Sequence, residues 1–235
     1  MMARILLLDT SGRVGSVGLA TGDGVLAATH LPGQSRHAAE LMPAIESLLK
    51  AQGWTADALT DVFLTVGPGS FTGLRLGVSV ARTLAWSTGA RIVAVGTLPV
   101  LARNALACCP PPDRVAVMLD AKRGQVFAAA FERRDGAYEV TVEPCLEEPG
   151  AFLGRCPRPI SVLGEGLAKH QEAVSAGGAT ILPPELWAGR AENIFALAIE
   201  SARAGRYTPP GDLVPTYIRR PEMEERWERR QQTHR

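Results

Sequence analysis

Histidine is scarce in this sequence and badly spaced for holding a metal. His30, His37, His170 and His234 are the only four, and no two stand four residues apart. The helical pair that presents two imidazoles to one ion is therefore missing, and metal-assisted chemistry by this chain alone is not expected. Cysteine offers no substitute. Cys108, Cys109, Cys145 and Cys156 form no C-x-x-C spacing, which reads as reduced thiols in a cytoplasmic protein. Long apolar runs are absent as well: Ile5-Leu6-Leu7-Leu8 near the N-terminus stops at Asp9, too short for a signal peptide or a membrane span. Charge of one sign is lacking too. With 25 Lys+Arg against 24 Asp+Glu, no global electrostatic footprint for strong nucleic-acid binding exists. The 235 residues suffice for one or two real cores.

What is present begins with Gly67-Pro68-Gly69-Ser70-Phe71-Thr72-Gly73, set between a strand signal and a helix signal. Upstream, Val62–Val66 is a short β-branched run. Downstream, Leu74 to Ser87 carries apolar residues at helical spacing and stops at Gly89, a good C-cap. A glycine-rich turn at a helix N-terminus can bind an anion or hold another backbone closely. The familiar phosphate loops do not fit it. Gly73 is followed by Leu74 and Arg75 rather than Lys-Ser/Thr, Thr72 stands where a dinucleotide loop needs glycine, and Pro68 breaks a G-x-S-x-G elbow at Ser70. A tight strand-to-helix turn without a ligand explains the stretch equally well.

The architecture occurs twice. Strand signals at Arg4–Asp9, Gly15–Ala20 and Val25–His30 form a meander. After it come a helix reaching Lys50, the Val62–Val66 strand, the Leu74–Ser87 helix, a strand Arg91–Val95 and a helix from Thr97. The run from Cys108 through Pro110-Pro111-Pro112 to Asp113 continues no element and reads as a boundary. Beyond it, Val115–Asp120, Gln125–Glu132 and Tyr138–Glu143 restart the meander, followed by apolar runs at Ile160–Leu163 and Ala179–Leu182 and an amphipathic helix near Ala191–Arg203. Each half opens on a strand ending in Asp, then a polar turn, then a second strand, which places Asp9 and Asp120 at two hairpin mouths facing one cleft. The expected organisation is α/β: domains at 1–108 and 113–190, then a C-terminal helix and tail at 191–235.

Leu8-Asp9-Thr10-Ser11, Ser35-Arg36-His37 with Leu41-Met42-Pro43, the Gly67–Gly73 block with Leu74-Arg75-Leu76-Gly77, Asp120 to Phe127, and Pro215-Thr216-Tyr217-Ile218-Arg219 together resemble the TsaB family of bacterial tRNA threonylcarbamoyladenosine biosynthesis proteins. The glycine block is the specific part; the Asp-Thr-Ser opening is shared across actin-like kinases and chaperones. The resemblance implies two ribonuclease H-like domains of the actin-like ATPase superfamily. It also implies a non-catalytic subunit, without cofactor or metal, that dimerises with the paralogue TsaD and works with the ATPase TsaE. Contact with tRNA would be indirect, through the complex, and a homodimer is a competing assembly. TsaD binds its metal through His-x-x-x-His, and the matching stretch here, Val95-Gly96-Thr97-Leu98-Pro99-Val100, holds no histidine. Two other classes stay open: a small ATP-dependent kinase of the same superfamily, resting on Asp9 and Asp120, and, weakest, a peptidase, for which no Ser/His/Asp spacing speaks.

Two residue sets follow. The degenerate nucleotide cleft comprises Asp9, Thr10, Ser11, Gly67, Gly69, Ser70 and Asp120, with Asp9 either lining it or merely capping its own turn. The partner interface comprises His37, Leu41, Ile45, Leu48 and Leu49 on one helix and Gly73, Leu74, Gly77, Val78, Ala81, Leu84 and Ala85 on the next. The second helix shows an apolar arc of roughly 200°, wider than docking on one sheet requires. Gly73, Gly77, Ala81 and Ala85 form a shallow i±4 ridge that another helix can approach, and Ala81→Arg would then abolish pairing without unfolding. Ser35 is the expected N-cap of the first helix, with His37 in its first turn as either an interface contact or a bystander. Pro43 is expected in that first turn too. The tail after Arg219 mixes arginine and glutamate around Trp227; Arg219, Arg220, Arg229 and Arg230 are basic candidates for tRNA, against a solvated helix as the simpler reading.

Overall fold

A computed structural model of the chain describes residues 3–31, 33 and 37–219. Ser35, Arg36, Arg220, Trp227, Arg229 and Arg230 lie outside the described residues, as does the side chain of His37. The first sheet is built from β1 (Ile5–Asp9), β2 (Gly15–Thr21), β3 (Gly24–Leu31), β4 (Asp61–Thr65) and β5 (Arg91–Val95) in the order β3-β2-β1-β4-β5. The second uses β6 (Arg114–Asp120), β7 (Val126–Arg134), β8 (Ala137–Glu147), β9 (Ser161–Leu163) and β10 (Thr180–Ile181) in the order β10-β9-β6-β7-β8. Read from either end these are one topology: an antiparallel meander whose first strand also pairs in parallel with the fourth. The duplicated ribonuclease H-like α/β architecture is thus borne out.

Both faces of the first sheet are covered, which is why β1 reads as an unbroken apolar run rather than an alternation. Leu6 and Leu8 face α1 (His37–Ala51) and α2 (Phe71–Thr88) in a core shared with Leu41, Ile45, Leu49, Val78, Ala81 and Ala85. Ile5 and Leu7 face the other way. α3 (Thr97–Ala102) leaves the first sheet and packs, through Leu98 and Leu101, against Val115, Val117 and Phe131 of the second. On the opposite face of that sheet lie α4 (Pro149–Gly154) and α5 (Leu167–Ala176). α6 (Ala191–Arg203) returns to cover Ile5, Leu7, Phe63 and Val93 with Ala191, Ile194 and Ala198.

Several expectations change. α2 begins at Phe71, three residues before Leu74, because the Ser70 hydroxyl caps it by accepting from the Gly73 N–H at 3.3 Å; Gly89 ends it in the left-handed region, φ 77°. Pro43 sits inside α1 rather than in its first turn. The residues assigned to a partner interface turn inward. Leu41, Leu74 and Ala81 are 0% exposed, and Ile45, Leu49, Val78 and Ala85 are also buried. Leu48 and Leu84 are partly buried against the same core. The Gly73/Gly77 end of the small-residue ridge meets Thr10 of the same chain rather than another helix. The wide arc is explained by α2 touching its sheet, α1 and the β1–β2 turn together.

Two stability measurements check this packing. A Cβ at Gly73 would overlap the Thr10 carbonyl oxygen, so Gly73→Ala should cost about 1–3 kcal/mol in chemical denaturation, whereas Gly22→Ala, with nothing within 4 Å, should be near neutral. Ala81→Arg should lower stability by about 4 kcal/mol or more, as a buried unpaired charge does, so that lost pairing would accompany lost folding.

Candidate functional site

The C-terminal ends of β1 and β6 meet across a cleft between the two sheets. A cavity of about 230 Å³ lies there, walled by Asp9, Ser11 and Arg13 of the first half and Leu119, Glu165 and Trp187 of the second, with Gly189 beside them. Asp9, 1% exposed, is the best-satisfied group in it. Its Oδ1 accepts from the Ser11 N–H at 2.9 Å, the Ser11 hydroxyl at 2.6 Å and the Thr65 hydroxyl at 2.7 Å. Its Oδ2 lies so near Gly189 that a Cβ there would collide with it. Through Oδ1 such a carboxylate fixes its own turn, as an Asx residue does, while Oδ2 stands at the cavity wall beside Gly189.

Thr10 turns away from the cavity and donates to the Gly73 carbonyl at 2.7 Å, pinning the start of α2. The glycine turn itself faces protein. The Ser70 N–H donates to the Ser11 carbonyl at 2.7 Å. A Cβ on Gly69 would stand 2.5 Å from that same oxygen, and one on Gly67 would stand 2.5 Å from the Thr216 carbonyl oxygen. Gly67, Gly69 and Ser70 therefore contribute nothing to the cavity wall. Their conformational freedom serves close approach of the chain's own backbone, not of a phosphate.

Asp120 occupies the equivalent place in the second half but is held by cations. The Lys122 N–H donates to Oδ1 at 2.9 Å, while Lys169 and Lys122 ammonium groups reach Oδ2 at 2.7 and 3.1 Å, and Arg13 approaches to 4.0 Å from the first half. Burial opposes its charge, yet the bonds from Lys169 and Lys122 outweigh it and hold the carboxyl below the usual aspartate range. Glu165 behaves oppositely. Burial pushes its carboxyl up, only partly countered by the Arg13 N–H that donates to Oε2 at 2.7 Å, and the Asp120 and Asp9 carboxylates push it further. Among the described residues no three His, Cys, Asp or Glu side chains gather closely enough to hold a metal ion, and no helix is long and apolar enough to cross a membrane.

Of the residues anticipated for the cleft, Asp9 and Ser11 line the cavity and Asp120 borders it through Arg13. Arg13, Glu165, Trp187 and Gly189 were not anticipated. A signal for Glu165 existed: Gly164-Glu165-Gly166 follows β9 much as Gly67-Pro68-Gly69 follows β4, and Gly164 and Gly166 lie against the Met118 backbone of β6 as Gly69 lies against Ser11 just past β1.

The family model for TsaD, tRNA N6-adenosine threonylcarbamoyltransferase, matches residues 32–199. The tRNA threonylcarbamoyladenosine biosynthesis protein TsaB of Bacillus subtilis is 31% identical over 95% of this chain and 97% of its own length. The chain belongs to the TsaB family. The Escherichia coli TsaB is 24% identical over 92% of the chain and 94% of its own length. A Pseudomonas aeruginosa crystal structure, described as an uncharacterised protein with similarity to the peptidase YeaZ, superposes with a TM-score of 0.77 at 25% identity, covering 93% of this chain and all of that one.

The two shifted carboxyls have opposite signs in stability. Asp120, depressed in the fold, contributes above the ordinary aspartate pKa of about 4 and loses that contribution as pH falls. Asp120→Asn should therefore cost about 1.5–3 kcal/mol at pH 7, the range for bonds to a charged group, with the difference fading below about pH 4. Glu165, raised in the fold, loses stability as pH rises through its shifted value. Glu165→Gln should raise the melting temperature at pH 8 and leave it little changed in acid; the reverse order would refute the assignment.

Proposed function

We propose that this chain is a non-catalytic subunit in formation of threonylcarbamoyladenosine in tRNA, at the adenosine next to the anticodon. In this reading it pairs with the catalytic TsaD homologue in the cytoplasm, works with the ATPase TsaE, carries no cofactor and meets tRNA only through the complex. Near full-length likeness to TsaB proteins supplies the process. The observation that carries the non-catalytic part is the internal use of the glycine turn, whose backbone lies against the chain's own carbonyls where a phosphate loop would hold its ligand.

The pairing surface we favour is the outward side of α1 and α2. Met42 is 53% exposed and Trp86 66% exposed, with the Arg82 guanidinium over the Trp86 ring at 5.1 Å. Half-buried Leu48, Leu76, Val80 and Leu84 lie between these residues and the core. Of the residues anticipated for this interface, Leu48 and Leu84 remain reachable, and the buried ones support it from behind. A homodimer through the same surface would compete with the heterodimer.

Co-purification with the TsaD homologue tests the reading. Met42→Glu with Trp86→Glu should reduce recovery of the partner at least tenfold while the melting temperature stays within a few degrees, since exposed substitutions change stability by only about 0.5 kcal/mol each. Full recovery would place the interface elsewhere. Asp120→Asn should leave modification by the assembled complex within a few-fold of wild type; a thousand-fold loss with the fold intact would mean a transition-state role. The second reading, an ATP-dependent kinase, draws on the three carboxylates around the cleft. It requires ATP turnover by the isolated chain that Asp9→Ala removes.

A further inference from the structure

A second cavity, also of about 230 Å³, lies on the far side of the Gly189–Arg190 crossing from the cleft. It is lined by Ser16, His30, Arg190 and Glu192, together with Thr29 and the start of α6. Strand register explains its composition. Asp9, Ser16 and His30 stand directly opposite one another on β1, β2 and β3, so their side chains share one face of the sheet. That face is the one α6 covers: two residues along from Ser16, a Cβ at Gly18 would stand 2.8 Å from the Ala191 Cβ. The Ser16 side chain therefore points at the beginning of α6.

Two independent features there call for a ligand. Ser16 is 1% exposed, and its hydroxyl has no hydrogen-bond partner, an arrangement that costs the desolvation of that group unless something supplies a bond. α6, thirteen residues long, starts without a side-chain cap. The Asn193 and Ile194 N–H groups turn back to the Arg190 carbonyl at 3.1 and 3.3 Å. The Ala191 and Glu192 N–H groups have no acceptor within the helix, and the helix dipole favours negative charge at this end. Arg190 adds a guanidinium of which Nη2 leans on the Glu185 carbonyl at 3.3 Å, leaving other donors to turn inward, and His30 adds an imidazole from the sheet. The opposing groups are Glu192, on the rim, and Asp9, which stands opposite Ser16 on the same face of the sheet.

We propose that this cavity binds a tetrahedral oxyanion, either phosphate or the phosphoryl group of a small ester. The Ser16 hydroxyl and the α6 N-terminus would hold its oxygens, with Arg190 balancing its charge. A phosphoryl group accepts from donors converging from several directions, which suits a hydroxyl below, amides at the helix end and a guanidinium at the side. The site is separate from the Asp9 cleft and needs neither a metal nor a partner chain.

Calorimetric titration of the full chain with inorganic phosphate, at ionic strength held constant with chloride, tests it. Saturable binding is expected, weakened about tenfold or more by Ser16→Ala and by Arg190→Ala, the loss of one good bond each, and tightened by Glu192→Gln. In phosphate-free buffer Ser16→Ala should melt about 2–4 °C higher than wild type, because the orphaned hydroxyl is gone, which separates lost binding from lost folding. Ribose 5-phosphate binding more tightly than inorganic phosphate identifies an ester ligand, and equal or weaker binding identifies the free ion. No saturable heat, or binding unchanged by both Ser16→Ala and Arg190→Ala, overturns the proposal.

Discussion

The contact on which the rest of the molecule depends is backbone against backbone. The turn after β1 and the turn before α2 touch at Thr10–Ser11 and Gly69–Gly73, with the Thr10 hydroxyl donating to the Gly73 carbonyl beside the backbone contact. Only glycine permits that approach, since any Cβ at Gly69 or Gly73 would enter a carbonyl oxygen. Thr10 and Ser11 are both 1% exposed and have exchanged water for these bonds. Their placement sets the height of α2 over the sheet, and with it which side of α2 remains outside.

The cleft is organised by the same economy of polar groups. Asn104, 2% exposed, donates to the Leu186 and Ala188 carbonyls at 2.8 and 2.7 Å and accepts from Asn193 at 2.7 Å. It thereby ties the crossing segment to the end of the first half and to α6. Trp187 donates to the Leu182 carbonyl at 2.9 Å. These bonds hold Gly189 against Asp9, so one side of the carboxylate is closed by protein while the residue still lines the cavity. Arg13 bridges to Glu165 and Asp120, and the opposite pKa directions of those two carboxyls follow: at Glu165 burial outweighs the one amide that reaches it, while at Asp120 the bonds from two lysines outweigh burial.

Much of the fold was legible because its signals are local. Apolar runs ending in Asp9 and Asp120, the glycine turn before α2 and the Gly89 stop each announce an element within a few residues. The duplicated order, once seen, fixes the topology. α5 escaped notice because it buries only Leu167 and Val174, too few to make a periodic stripe. α4 is six residues entered through Pro149, shorter than any window that reveals helical spacing. The interface assignment went inward because a wheel counts apolar positions without knowing how many neighbours a helix has; α2 has three sides to satisfy within its own chain. Ser16 has no local signature at all, since its setting arises from strand register and from a crossing more than a hundred residues away in sequence.

The helices that close the two sheets are exchanged. α3 follows the last strand of the first sheet yet lies on the second, and α6 follows the second sheet yet covers the first. A division of the chain at the proline-rich linker would therefore not separate two self-sufficient bodies. The first fragment would expose Ile5, Leu7, Phe63 and Val93 on one face of its sheet, and the second would expose Val115, Val117 and Phe131. Each half supplies a layer that the other lacks.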